Sequence, residues 1–350
     1  MWWTRFKQKV AAPFSIFRFS GEGNLLRKIT GGIVGLVVIF ILLVGMYWSR
    51  EPASFSVAQN VREKLAIDGL DFVVGSATTA ALITVAETLL QKPGGYLSND
   101  MMPPGVYLDN IPNWEFGVLV QVRDLSRSFR ETFSRSQSQS TEDPDLIISE
   151  PNFAFNNDSW LFPPSESEYS EAIVHLQSYL QRITDPAISN AQFYARADNL
   201  SSWLLNVESR LGSLSQRLSA SVRQQRVNTD TAGETGASQS TPSSQEVSIK
   251  TPWLQIDDIF YEARGATWAL THFLRAIEID FQDVLEDKNA NASLRQIIRD
   301  LEYSQRTVFF PVILNGSGFG IFANHSLTMA NYVSRANAAI SDLRELLAQG

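Results

Sequence analysis

Few side chains in this sequence are suited to enzyme chemistry. The 350 residues contain no cysteine and three histidines. Disulfides, thiolate nucleophiles and cysteine-ligated metals are therefore excluded. Glu171 and His175 are spaced to share one face of a helix, but two ligands without a third are more typical of a surface ion pair than of a metal site. The sequence predicts no metal and no cofactor.

Glu115 is the one carboxylate that we consider a candidate catalytic residue. It follows Trp114 in a segment rich in Pro and Asn, and irregular structure is predicted over residues 94–113 and 134–164. This position suggests a residue that cleaves a cell-wall polymer. Glycoside hydrolysis, however, needs a second carboxylate at a defined separation, and an active site needs several convergent groups, of which the sequence shows one.

Two other patterns favour structure over chemistry. Four acids close one long predicted helix, namely Asp280, Asp283, Glu286 and Asp287. A cation or Arg295 and Arg299 would neutralise them, but a solvated face is the better interpretation. The sequence Asn-Gly-Ser-Gly-Phe-Gly at 315–320 is superficially like a phosphate-binding loop. It lacks the third glycine of GxGxxG and has no following lysine, so a hairpin or loop is favoured.

Three arginines on one predicted helix form the most distinctive polar pattern. Arg123, Arg127 and Arg130 lie opposite its apolar stripe, and together with Trp114 they define a candidate interaction face. In an acidic domain such a face would hold an anionic partner, either another subunit or the carboxylates and phosphates of the cell envelope. The alternative, which we favour, is pairing within the chain with acidic segments such as residues 142–145.

Helical periodicity covers much of the chain that must position these residues. Apolar residues alternate at spacings of three and four over 197–218, 256–284 and 329–347. A Thr-Pro pair at 251–252 opens the second of these segments, and a continuous rod of roughly 50 Å is expected over 252–287. Strand signals are scarce. The sequence therefore predicts a mainly α protein, a helical bundle with long heptad-patterned helices.

One apolar segment is long enough to cross a membrane. Residues Ile29–Trp48 contain no charge, and a helix of that length spans roughly 30 Å. The preceding residues contain six basic side chains and one acid, whereas the following residues contain 23 basic and 36 acidic side chains. This asymmetry places the N terminus in the cytoplasm and the remainder outside it. A cleaved signal peptide is the alternative, which the long apolar stretch disfavours. A second apolar run, 72–86, is predicted to be a buried helix.

These features divide the chain into five segments. A basic and aromatic stub, 1–28, suits a segment lying on anionic lipid headgroups, and a plain signal-anchor flank explains it equally well. The transmembrane helix, 29–48, follows. Residues 49–226 are predicted to form a helical region with long ordered loops, 227–248 a flexible linker without aromatic or basic residues, and 249–350 a second helical region that completes the bundle.

Several specific strings make the chain similar to a known family. They are GGYLSND at 94–100, DNIPNWEFGVL at 109–119, SRSQSQS at 134–140 and NDSWLFP at 157–163. With these strings and its single N-terminal span, the chain resembles an uncharacterised inner-membrane family of Gram-negative bacteria, a domain of unknown function. The resemblance implies an inner-membrane location with a periplasmic body. It implies no activity.

We expect a non-enzymatic protein that binds other envelope proteins or supports their assembly. The lipid bilayer is a further expected partner, and a net charge of −8 disfavours nucleic acid. The GxxxG spacing of Gly31 and Gly35 leaves homo-oligomers open. The alternative is a cell-wall-processing enzyme with its site around Trp114 and Glu115. Ligand sensing is disfavoured because the short cytoplasmic stub is too small for an output domain.

Overall fold

The structure is a computed structural model. It describes residues 24–69, 71–136, 140–185, 187, 190–222, 224–227, 246–308, 312–317 and 321–349. Most of the predicted stub, 1–28, and of the predicted linker, 227–248, lies outside these residues, and the five segment boundaries stay predictions. The chain divides into two units after Tyr47. The first contains helix α1 except its last residue, and the second, which begins at that residue, Trp48, is called the bundle here.

Helix α1, Asn24–Trp48, is the one helix in the described ranges that is long and apolar enough to cross a membrane. Large apolar side chains such as Leu36, Phe40 and Met46 are exposed along it. A helix that spans a bilayer satisfies its backbone hydrogen bonds internally, and it presents apolar side chains of this kind to the lipid.

Ten helices and two short strands build the described part of the bundle. The helices are α2 Val57–Asp68, α3 Ser76–Gln91, α4 Asn110–Ser128, α5 Leu146–Ala154, α6 Ser165–Thr184, α7 Ala197–Ser219, α8 Ile256–Asp280, α9 Gln282–Asp287, α10 Asn291–Ser304 and α11 His325–Ala348. A π-helical turn, Phe129–Phe133, extends α4. Strands β1, Gln224–Val227, and β2, Glu246–Ile249, pair antiparallel. The prediction of a mainly α bundle with long helices is confirmed.

Helices α4 and α8 run in the same direction through the centre of the bundle. In the first half of each helix Gly265 lies against the backbone of Trp114, and at their other ends the rings of Phe133 and Phe281 are 5.6 Å apart. We call the end at which these helices begin the neck end, because Trp48 packs there against the loop that follows α3. The opposite end is called the far end.

Two glycines allow α4 and α8 to approach backbone to backbone. A Cβ atom added at Gly117 would lie 2.0 Å from the carbonyl oxygen of Glu262, and one added at Gly265 would lie 2.0 Å from that of Trp114. No side chain larger than hydrogen fits at either position without moving a helix. The contact is therefore a fixed point of the architecture.

The predicted heptad segments in α7 and α11 pack as expected. Leu204 and Leu211 of α7 are fully buried, as are Val333 and Ile340 of α11. The two helices are antiparallel neighbours, and Arg344 of α11 forms an ion pair with Glu208 of α7. The apolar run at 72–86 is confirmed as a buried helix from Ser76 onward, in α3, whereas Phe72 and Val74 precede the helix and are exposed.

The structure corrects two details of the sequence-based prediction. The continuous rod over 252–287 is broken, because α8 ends at Asp280 and Phe281 adopts φ −105° and ψ 20° before the short α9. The ring of Phe281 is held against Phe133 and Phe193 at the far end, so aromatic packing overrides the helical pattern. The irregular region 134–164 also contains a helix, α5, with Pro151 inside it.

Candidate functional site

The residues that directly follow α1 are bound along the side of α8. We call residues 49–56 the neck segment. Glu51 contacts Arg264, and Phe55 contacts His272 two turns further along α8. The neck segment therefore runs parallel to α8 and is attached to it at both of its ends.

Arg264 is the centre of this attachment. Its Nε and Nη2 atoms donate to the two carboxylate oxygens of Glu51 at 2.7 and 2.5 Å, and its Nη1 atom donates to the carbonyl oxygens of Ser304 and Arg306. The guanidinium is almost completely buried, and a two-pronged contact of this kind fixes the partner in one orientation. Arg264 thus joins the neck segment, α8 and the end of α10. The sequence signal was an arginine among small and apolar residues, and sequence reasoning missed it.

His272 closes the other end of the neck segment. Its Nε2 atom accepts from the backbone N–H of Phe55 at 3.1 Å, and its Nδ1 atom lies 2.8 Å from the carbonyl oxygen of Trp268. The partners assign the proton to Nδ1. The Phe55 and His272 rings stack at 4.0 Å. Burial lowers the pKa of His272 to about 4, so the ring is neutral and both nitrogens are occupied. His272 is therefore a structural residue.

Two grooves flank Arg264 at the neck end. One, of about 380 Å³, lies between α8, α10 and α11 and is lined by Tyr303, His325 and Tyr332 among others. The second, of about 500 Å³, lies between the neck segment and α8. Both have the size of small-molecule sites. The guanidinium that lines both grooves uses four of its five N–H groups on Glu51 and two carbonyl oxygens, and the Glu51 carboxylate balances its charge.

Glu115, the candidate catalytic residue, lies in α4 and not in a loop, and it is completely buried. Its carboxylate is 2.5 Å from Nζ of Lys92 and accepts from the backbone N–H groups of Leu97 and Ser98 at 2.9 and 2.8 Å. The Ser98 hydroxyl donates to it as well, at 2.5 Å. Burial raises the pKa of Glu115, and Lys92 with these donors opposes the rise.

This network holds the loop that connects α3 to α4 against the start of α4. Lys92 also donates to the carbonyl oxygen of Gly95, and Gly94 and Gly95 both have positive φ, which glycine adopts without strain. Every hydrogen-bonding atom of Glu115 is occupied inside the protein. The arrangement therefore explains Glu115 as a structural residue, and it does not favour the hypothesis of a polymer-cleaving acid, which stays a prediction.

The candidate interaction face is largely engaged within the chain. Trp114 is fully buried against Trp268, with ring centroids 5.2 Å apart, so it is not part of any surface. Arg123 donates to the carbonyl oxygens of Phe153 and Phe155. Arg130 binds the carboxylates of two acids, Glu142 and Glu150, at 3.0 and 2.9 Å. Pairing with the 142–145 segment, the favoured alternative, is thus observed for Arg130.

Arg127 is the one member of the predicted face that remains largely exposed. Its side chain is 57% exposed, and its contact with Glu150 is long, at 3.6 Å. An ion pair at that distance and exposure contributes little to stability. Arg127 therefore keeps its charge available to a partner.

The other polar patterns of the sequence have structural explanations. His175 faces Asp145 and not Glu171: its Nδ1 atom lies 2.9 Å from the carboxylate of Asp145. In the described ranges no three potential metal ligands converge. An antiparallel bridge joins Asn315 to Asn324, as a hairpin-like loop requires, whereas residues 318–320 lie outside the described residues.

Asp280, placed by the sequence in a solvated acidic helix end, is instead buried. Its carboxylate accepts from the backbone N–H and the hydroxyl of Thr78, both at 2.6 Å, and so caps the start of α3. Arg295 pairs with Glu278 at 2.6 Å and does not reach Asp280. No sequence signal marked this contact, because the helix start that it caps lies 202 residues away.

Replacing Asp280 by Asn is expected to flatten the pH dependence of stability. Burial raises the pKa of Asp280 to about 6, although the hydrogen bonds from Thr78 oppose the rise. The folded chain therefore binds this proton more tightly than the unfolded chain. The resulting stabilisation is full below about pH 4 and is lost as the pH rises through 6, a change of about 3 kcal/mol in the free energy of unfolding. Urea unfolding of the detergent-solubilised chain between pH 4 and 7 measures it.

The exposed neighbour Asp283 supplies the matched control. Asp283→Asn removes one carboxylate from the same helix end without touching α3, and it should keep the wild-type slope of stability against pH. The two variants are compared by the slope of their free energy of unfolding against pH, because other buried groups contribute equally to both slopes. An Asp280→Asn slope equal to that of wild type would contradict the assignment.

Comparison with known proteins agrees with the resemblance seen in the sequence. The sequence profile of a family described as an uncharacterised protein conserved in bacteria, DUF2333, matches residues 21–350. Searches of curated proteins and of solved structures gave no match. The matched region contains α1 and the whole described part of the bundle, so the resemblance to an uncharacterised bacterial family is confirmed, and the chain has the single N-terminal apolar helix that the sequence predicted. The chain belongs to this bacterial family, DUF2333.

Proposed function

We propose that this protein is a single-span inner-membrane protein that holds a helical interaction surface in the periplasm, as a non-enzymatic envelope scaffold. The observation that carries the proposal is the bound neck segment. Residues 49–56, the first residues after α1, are fixed to α8 through Glu51 and Phe55 and are therefore part of the bundle.

The orientation rests on charge. The residues before α1 are strongly basic and the bundle is acidic, which supports an N terminus in the cytoplasm and a bundle in the periplasm. The scaffold role rests on the exposed flank of α4. Arg127 offers a cation there on a rigid helix whose other arginines are already occupied. A partner with an acidic surface fits this flank, and the class of partner that we propose is another envelope protein.

A single cysteine at position 131, exposed one turn beyond Arg127, tests both parts without removing the cation, because the chain has no other cysteine. In intact cells Glu131→Cys should react with a membrane-impermeant maleimide, and the protein should resist carbonate extraction as an anchored chain does. With a short photoactivatable crosslinker attached, it should give discrete adducts with envelope proteins. Both results follow if the α4 flank faces the periplasm and contacts a partner.

Arg62→Cys on the exposed side of α2 is the control position. It should label equally but give a different adduct pattern. Labelling of both positions only after cell lysis would overturn the orientation, and carbonate extraction would overturn the anchorage. Identical adducts from both positions, or none from position 131, would overturn the role of the α4 flank.

A further inference from the structure

Exposed large apolar side chains are concentrated in the loops of the neck end. Four connections between elements meet there: the α3–α4 loop, the α5–α6 loop, the segment before α8 and the segment before α11. Each carries aromatic or aliphatic side chains at its tip. Soluble surfaces expose such residues singly, and a repeated set on one end of a molecule marks an interaction site.

The first two tips are physically linked to the place where Trp48 enters the bundle. Trp48 packs on Gly94, and the same loop continues to Met102 and Tyr107, both 75% exposed. Asn99 of this loop donates to the carbonyl oxygen of Ser159 at 2.7 Å. That bond places the next tip alongside, where Phe162 is 88% exposed.

The other two tips are linked to the same place through α8. Trp253 and Leu254 lie just before the first turn of α8, and both are more than two-thirds exposed. The segment before α11 carries Ile321, which is 99% exposed, and α11 begins beside α8, where the rings of His325 and Phe260 are 6.4 Å apart. Arg264, which holds the neck segment, lies one turn beyond Phe260.

The far end is different. In its described connections, Phe72 and Val74 are the large apolar side chains that are exposed. The segments 134–136 and 140–145 are polar, and the acids there bind arginines of α4 and α6. The apolar tips are therefore a property of the end at which the chain enters from α1.

We propose that the apolar loop tips of the neck end insert into the headgroup region of the same bilayer that α1 crosses, so that the bundle rests on the membrane. The inference depends on the anchorage in the proposed function. Trp48 is the last residue of α1, so chain connectivity alone keeps these loops close to the lipid surface. Tryptophan and tyrosine favour this interface, and apolar neighbours add buried area.

Charge argues for a hydrophobic contact that does not need anionic lipid. The acids Asp109, Asp257 and Asp258 lie among the tips, and Asn113 donates to Asp258 at 2.8 Å. These acids lie beside the exposed bases Lys250 and Arg306, so the neck end has no cluster of basic residues that would attract it to acidic headgroups. Insertion should therefore occur in vesicles of phosphatidylcholine alone and be insensitive to salt.

The absence of native cysteine allows a direct test on the full chain. Single-cysteine variants Tyr107→Cys, Phe162→Cys, Trp253→Cys and Ile321→Cys are labelled with an environment-sensitive fluorophore and reconstituted into phosphatidylcholine vesicles. Lipids carrying a nitroxide near the headgroup should quench each probe about twofold, since interfacial groups lie roughly 5–10 Å inside the boundary. All four positions are exposed, so the substitutions leave the core intact.

Two further positions make the outcomes separable. Phe72→Cys at the far end should show no quenching, and Val37→Cys in the middle of α1 should be quenched by nitroxides deep in the bilayer. Tips that behave like Phe72→Cys while Val37→Cys is quenched would overturn the insertion and leave the anchorage intact. An unquenched Val37→Cys would overturn the anchorage itself. Tips with a blue-shifted but unquenched probe would show a protein cover, a second copy or a partner, and would overturn the lipid assignment.

Discussion

Gly117→Ala and Gly265→Ala are each expected to lower the free energy of unfolding by about 3 kcal/mol or more. A Cβ atom at either position would meet a backbone carbonyl oxygen at 2.0 Å, and a backbone atom cannot rotate away as a side chain can. Helices α4 and α8 would have to separate, which opens the packing around Trp114 and Trp268. Thermal or urea unfolding of the detergent-solubilised chain measures the loss.

Gly212 in α7 is the matched control for these two variants. An added Cβ atom there meets the side chain of Asn337 at 3.6 Å, an ordinary contact. Because alanine is the better helix former, Gly212→Ala is expected to raise the free energy of unfolding by up to about 1 kcal/mol. The sign of the effect should thus differ between glycines that lie in helices of one protein. Stabilisation by Gly117→Ala would refute the close approach of α4 and α8.

The second large effect is expected at the buried pair of Lys92 and Glu115. Glu115→Gln leaves the Lys92 ammonium buried with the carbonyl oxygen of Gly95 as its contact, and removing one partner of a buried pair costs about 3–5 kcal/mol. Lys92→Met should cost less, because the carboxylate keeps its donors from Leu97 and Ser98. Unfolding free energies of the two single variants measure this asymmetry.

The double variant Lys92→Met/Glu115→Gln separates structure from chemistry at the same position. It removes both charges, so it is expected to recover part of the stability lost in Glu115→Gln. If Glu115 holds the loop, the in-cell phenotype should follow stability and return with the double variant. A phenotype that stays lost in a stable double variant would revive the cell-wall enzyme hypothesis. Wild-type stability of Glu115→Gln would contradict the buried pair.

The sequence was sufficient for features that depend on local pattern. Spacings of three and four predicted the helices, because one side of each must face the core whatever lies opposite. The run from Ile29 to Trp48 identified the membrane-length helix by its length and its lack of charge, which are also local features of the sequence. The alternation also located buried positions in α7 and α11 such as Leu211 and Ile340, which have no exposed surface.

The candidate site was less predictable because its contacts join distant parts of the chain. Glu115 was placed in a loop by its Pro and Asn neighbours, although α4 begins at Asn110 and the loop that connects α3 to α4 covers the acid. Asp280 belongs to an acidic cluster, and its composition predicts a solvent-exposed helix end. In the structure its carboxylate instead accepts hydrogen bonds from the start of α3. Composition cannot reveal which distant backbone groups require a partner.

The contact between Glu51 and Arg264 also sets an order of events during synthesis. The two residues are 213 positions apart, and at roughly 5–20 residues per second the arginine is made some 10–40 s after the acid. Through that interval the neck segment has been synthesised, but its binding site on α8, between Arg264 and His272, does not yet exist. Attachment of the neck segment to α8 is therefore a late step of folding.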